Sequence, residues 1–190
     1  MARRNATLIR PNLRVDIDVA QLDALYQLAH ALCPSGFPAD ETRLLEAMRA
    51  HISLHLVDQL REELALKLAL PVELFCRDHF TVQGCGPVSL HDDKRNYPAL
   101  YFVIVVVHSG QLGLVDRNCR AQRHTPGEIL LLDPHKKHAV VPLGKRAAQQ
   151  RMAPADTFAH DAANQFMFLD FEIERKGARH LFRTEAPPLL

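Results

Sequence analysis

Three residues of this chain have the types and spacing needed to hold a metal ion. His91 and Asp93 stand two apart in V-S-L-H-D-D, and His138 closes D-P-H-K-K-H. Residues two apart on a strand share a face, so His91 and Asp93 point together while Asp92 points away. Two imidazoles and one carboxylate occupy one side of a metal and leave the opposite positions open. That open face suits iron(II), which can then take a chelating co-substrate and dioxygen. His135 is the competitor of His138 but falls in the Asp133-Pro134 turn. His51 and His55 are four apart, a ligand spacing on a helix, yet no Glu follows His51 as a zinc-protease motif requires. These two read as bystanders. His108 and His124 read as structural or exposed, and Asp116-Arg117 as a turn.

The elements that must position the triad follow from pattern. From Val72 onward come short strand-like runs: V-E-L-F, H-F-T-V-Q, P-V-S-L-H, Y-F-V-I-V-V-V, Q-L-G-L-V-D, E-I-L-L-L-D, H-A-V-V-P and F-M-F-L-D-F-E-I. Gly-Pro, Ser-Gly, Pro-Gly and Asp-Pro pairs punctuate them, and no helix intervenes. Strands at this pitch predict a sandwich or barrel over 72–175. Val103 to Val107 reads as core on both faces. Ahead of the strands, 18–70 is helical support. Asp18 caps an amphipathic helix over 19–32, in which Leu22, Leu25, Tyr26, Ala29 and Leu32 recur at helical spacing. A second helical stretch spans 40–69, with Asp40 as N-cap, an apolar face through Met48, Ile52, His55, Leu56 and Leu60, a Glu63–Lys67 pair, and Pro71 as its stop. Leu8-Ile9 and Val15–Ile17 offer a short extra strand. The polar, Ala-rich segment 145–165 has the length of a lid or binding loop, and 176–190 reads as a tail.

Composition bounds the class. A chain of 190 residues, 47% hydrophobic and 24% charged, is expected to form one domain with a real core. A net charge of +1 points to neither nucleic acid nor a membrane surface. No apolar run follows the Met-Ala-Arg-Arg-Asn start, and the block Tyr101 to Val107 is too short to span a bilayer. The four cysteines lack C-x-x-C spacing and read as reduced thiols of a cytoplasmic protein.

H-x-D, a valine-rich strand, S-G-x-L-x-L-x-D, P-G-E-I-L-L-L-D and H-A-V-V-P-L-G-K-R together resemble the 2-oxoglutarate- and iron(II)-dependent oxygenases. The resemblance covers roughly 80–175. It implies a double-stranded β-helix, the jelly-roll or cupin-like barrel, with the N-terminal helices packed outside one sheet. It implies Fe(II) at His91, Asp93 and His138, with 2-oxoglutarate as co-substrate. The far carboxylate of the co-substrate would meet Arg146, whose planar fork can grip it bidentately, with Tyr101 adding a hydroxyl. The chain departs from the family in having Ala148 where a Ser or Thr usually stands. If 145–165 is one long loop, Arg151 rivals Arg146. The implied activity is hydroxylation of a small-molecule or peptide substrate, with a homodimer left open. Two other readings stand beside it: a metal-dependent cupin that uses no 2-oxoglutarate, although the H-x-H plus Glu pattern is missing, and a metal-free binding barrel.

Overall fold

The computed structural model describes residues 7–32, 48, 52–149 and 164–182. The expected Asp40 cap, His51, Arg151, most of the predicted lid and the tail beyond 182 lie outside the described residues. Among those described, eight strands form two antiparallel sheets. They are β1 (Leu8–Ile9), β2 (Phe75–Cys85), β3 (Val88–His91), β4 (Leu100–Ser109), β5 (Leu112–Asp116), β6 (Ile129–Leu132), β7 (His138–Pro142) and β8 (Phe166–Glu174). One sheet runs β1-β6-β4-β8-β2 and the other β3-β7-β5. From β2 to β8, each successive strand therefore crosses to the other sheet. The architecture is mainly β, and the two sheets do not close into one hydrogen-bonded ring.

Strand periodicity sorts the side chains into three compartments. On β4, Val103, Val105 and Val107 face a core shared with the helices, while Phe102, Ile104 and Val106 face the other sheet. β8 splits likewise: Met167, Leu169, Phe171 and Ile173 face the helices, and Phe166 and Phe168 face inward. Leu112, Leu114 and Val140 meet them from the small sheet. The expectation that Val103–Val107 is buried on both faces thus holds, and each such side chain contributes about 1.5–3 kcal/mol on burial. A third, smaller cluster of Val115, Ala121, Ala139, Val141 and Ala147 covers the outside of the small sheet.

Helix α1 (Val19–Leu32) has the predicted bounds, and the Asp18 carboxylate accepts from the Ala20 amide at 3.0 Å. Leu22, Tyr26 and Ala29 are its buried stripe. Helix α2 (Leu54–Lys67) is capped by Ser53, whose hydroxyl accepts from the His55 amide. Its inward face is Val57, Leu60, Leu64, Ala65 and Leu68; of the expected face Met48, Ile52 and Leu60 are buried and Leu56 packs on the core, while His55 is exposed. The Glu63–Lys67 pair forms at 3.4 Å. Past Ala69, held at φ 52, and Pro71, most of the run V-E-L-F is not a strand: Val72–Leu74 is a 3-10 turn, and β2 starts at Phe75 and takes in the second predicted run, with a register shift between Phe75 and Phe80. Cys76 and Cys119 are free thiols. No helix among the described residues is long and apolar enough to cross a membrane.

Candidate metal centre

β3 and β7 lie side by side with His91 directly opposite His138. Val88 and His91 are three apart, which in a regular strand would send them to opposite faces. A bulge between them restores the phase, and both side chains line one cavity. Asp93 follows the end of β3 and is held by its backbone. Its amide donates to Pro134 O at 2.8 Å, and its carbonyl accepts from the Asn96 and Tyr97 amides at 3.0 Å. The turn between β6 and β7 that carries His138 is therefore tied to the loop that carries Asp93.

The three side chains converge as the sequence anticipated. Their ligand atoms lie within 4.8 Å of one another. Asp93 Oδ2 is 3.2 Å from His138 Nε2 and 3.6 Å from His91 Nε2. Each imidazole is oriented from behind. His91 Nδ1 lies 2.8 Å from Ser89 O, and His138 Nδ1 lies 2.9 Å from Lys136 O. A carbonyl can only accept, so each Nδ1 donates to its carbonyl, which turns both Nε2 atoms toward the Asp93 carboxylate. Two Nε2 atoms and a carboxylate oxygen aimed at one point can serve together as ligands of one cation, which would take the place of an Nε2 proton. This donor set and its backbone supports fit a divalent transition metal. Burial alone would raise the Asp93 carboxyl, but the hydrogen bond and charge of His138, with His91 beside it, hold it below the ordinary value. The triad runs from the half-exposed His91 at the mouth to the buried His138.

Its open side faces a cavity of about 280 Å3 between the two sheets. The walls are apolar, with Phe102, Ile104, Leu114, Leu132, Val140 and Phe168. Polar groups enter from Gln83, Asn96, Tyr97 and Asp170. Burial, then the neighbouring acids Asp170, Glu172 and Asp93, raise the Tyr97 hydroxyl, which keeps its proton.

Neither expected co-substrate group reaches this cavity. Tyr101 stands on the opposite face of β4 from Phe102, stacked on Phe182 at 3.9 Å and buried in the helix-side core. Parity is the cause: the positions of β4 that look inward are even-numbered. Arg146 is exposed on the outer side of the small sheet, where residue 146 bridges to Arg120, and β8 does not begin until Phe166. The chain turns away at Gly144, φ 76, before Arg146 is reached. No Lys or Arg lines the cavity among the described residues. His135 stays out of the triad and meets Tyr97 O at 3.0 Å instead. Sequence reasoning overlooked Asp170 and Gln83. A signal existed for the first: in F-M-F-L-D-F-E-I, Asp170 and Glu172 take the same alternate positions as Phe166 and Phe168. No family model matches the chain, and no curated protein matches it either.

Proposed function

We propose that this protein is an iron(II)-dependent oxygenase built on a double-stranded β-helix, with His91, Asp93 and His138 as the metal ligands. The observation that carries the reading is the convergence of two imidazole nitrogens and one carboxylate oxygen, held by main-chain contacts, on a cavity between two sheets. The strand order supports it, since β2-β8-β4-β6 stands in one antiparallel sheet and β3-β7-β5 in the other, with successive strands alternating between them. When bound, the metal supplies dioxygen activation. The chain's own residues hold it from one side, confine the substrate against apolar walls and exclude bulk water.

In this reading 2-oxoglutarate is the co-substrate, and a cation from outside the cavity lining must meet its far carboxylate. The absence of Lys and Arg from the described lining favours a second reading, a metal enzyme of the same fold that uses no 2-oxoglutarate. One experiment separates them. Anaerobic Fe(II) is titrated into the protein and into the His91→Ala variant, with and without 2-oxoglutarate, and thermal stability is followed. Stabilisation by Fe(II) that is lost in the variant supports the centre. A further rise with 2-oxoglutarate, accompanied by succinate formation in air, supports the first reading; Fe(II) stabilisation with no response to 2-oxoglutarate supports the second. No metal-dependent stabilisation at all would remove both.

A further inference from the structure

The metal ligands leave one group in the cavity unused. Asp170 lies on β8 opposite Ile104 on one side and Thr81 on the other, and is 1% exposed. The Gln83 side-chain amide donates to its Oδ2 at 3.4 Å. Its Oδ1 has no hydrogen-bond partner among the described residues. Glu172, two positions along the same face and 5% exposed, adds a second carboxyl nearby. The remaining lining is apolar or neutral apart from the triad. A buried carboxyl oxygen without a donor is costly, and the cost is relieved when a ligand brings one.

The chemistry of that ligand follows from the surroundings. An anion would face Asp170 and Asp93 with no Lys or Arg in the described lining to offset them. A cationic donor meets the opposite situation: acid at one end and apolar walls around its body. We propose that the cavity binds a small amine, whose nitrogen pairs with Asp170 while its hydrocarbon part lies against Phe102, Ile104, Leu132 and Phe168. Burial first, then the charge of Glu172, pushes the Asp170 carboxyl well up, although the Thr81 hydroxyl opposes this. A free amine entering the cavity takes the carboxyl proton and forms the ammonium–carboxylate pair in place. At about 280 Å3 the space falls near the low end of the roughly 300–1,000 Å3 of small-molecule sites, so the body is small. This deepens the functional reading by naming its substrate class. It rests on that reading only for the word substrate, because the pairing itself requires no metal.

The test uses three probes with one ring: cyclohexylamine, cyclohexanol and cyclohexanecarboxylate. Calorimetric titration into the wild-type chain should show saturable binding of the amine, weaker binding of the alcohol and none of the carboxylate. Asp170→Asn keeps the size of the group and should weaken amine binding about tenfold or more. Leu132→Phe fills the cavity and should abolish it by a different route, so a folding defect in one variant does not decide the matter. Amine binding unchanged in both cavity variants, or the carboxylate probe binding as well as the amine, overturns the proposal. Fe(II) uptake without any amine response in the wild type also overturns it and leaves the metal centre standing.

Discussion

Tyr101 and Phe102 are adjacent in the chain and serve different compartments. Phe102 lines the cavity, and Tyr101 packs on Phe182 with the Arg175 guanidinium 4.1 Å above its ring. Assignment of Tyr101 to the co-substrate rested on its strand and ignored which face of that strand it occupies. Its role is measurable by two substitutions. Tyr101→Phe keeps the stacked ring and should cost under about 1 kcal/mol, with metal and 2-oxoglutarate responses unchanged. Tyr101→Ala removes a fully buried ring and should destabilise by about 3–5 kcal/mol. Chemical denaturation reads both values. A loss of 2-oxoglutarate response in the well-folded Phe variant would return Tyr101 to the site. The triad differs from Tyr101 in that the H-x-D spacing singled out His91 and Asp93, although Asp93 follows the end of β3 and reaches the site through its backbone contacts.

The turn between β6 and β7 shows where reading from sequence stops. Asp133-Pro134 was recognisable as a turn, and the strands on either side as strands. What the turn does depends on residues distant in the chain. Asp133, fully buried, receives Arg175 in a fork, Nη1 to Oδ1 at 2.7 Å and Nη2 to Oδ2 at 2.9 Å, and also accepts the His135 amide. The next carbonyl, Pro134 O, fixes the Asp93 amide. Nothing local to Asp133 names Arg175 as its partner, just as nothing local to Val88 announces the bulge that brings His91 into phase. The same gap misplaced Arg146, because the number of residues a chain spends outside its sheets is not written in strand periodicity. Arg175 is thus linked through Asp133 and Pro134 to Asp93 of the candidate metal centre. Arg175→Met strands a buried carboxylate and should destabilise by about 3–5 kcal/mol. It should also weaken Fe(II) binding by about 10–100-fold, the usual effect of losing a group that orients a ligand. Measured below the melting range, a stability loss with unchanged metal affinity would show that Arg175 serves the fold alone.

Across the whole molecule, the N-terminal segment closes an edge that would otherwise be open. β1 pairs with β6, Leu8 opposite Leu132 and Ile9 opposite Leu131, and the main chain continues the contact through Leu13 O to Ile129 and the Val15 amide to Gly127 O. Unpaired edge groups invite association with other chains, and this strap covers those of β6. Its anchor is ionic. Arg10 Nε donates to Glu128 Oε1 at 2.7 Å, the Thr125 amide donates to Oε2 at 3.0 Å, and His124 Nδ1 lies 3.4 Å from the same carboxylate. Burial by itself would raise the Glu128 carboxyl, but His124, the Thr125 amide and Arg10 outweigh it and bring the value from 4.5 down to about 2. A carboxyl depressed by folding contributes stability that is complete above its unfolded value and disappears as pH falls through its folded one. The strap's contribution is therefore full above pH 4.5 and is lost progressively toward about 2. Glu128→Gln should cost roughly 1–3 kcal/mol at neutral pH, since hydrogen bonds to a charged group are lost. The difference between variant and parent should shrink as the solution is acidified through that window. Thermal melts from pH 7 to 2 measure this, and a gap that persists unchanged at the acid end would mean that the carboxylate charge does not hold the strap.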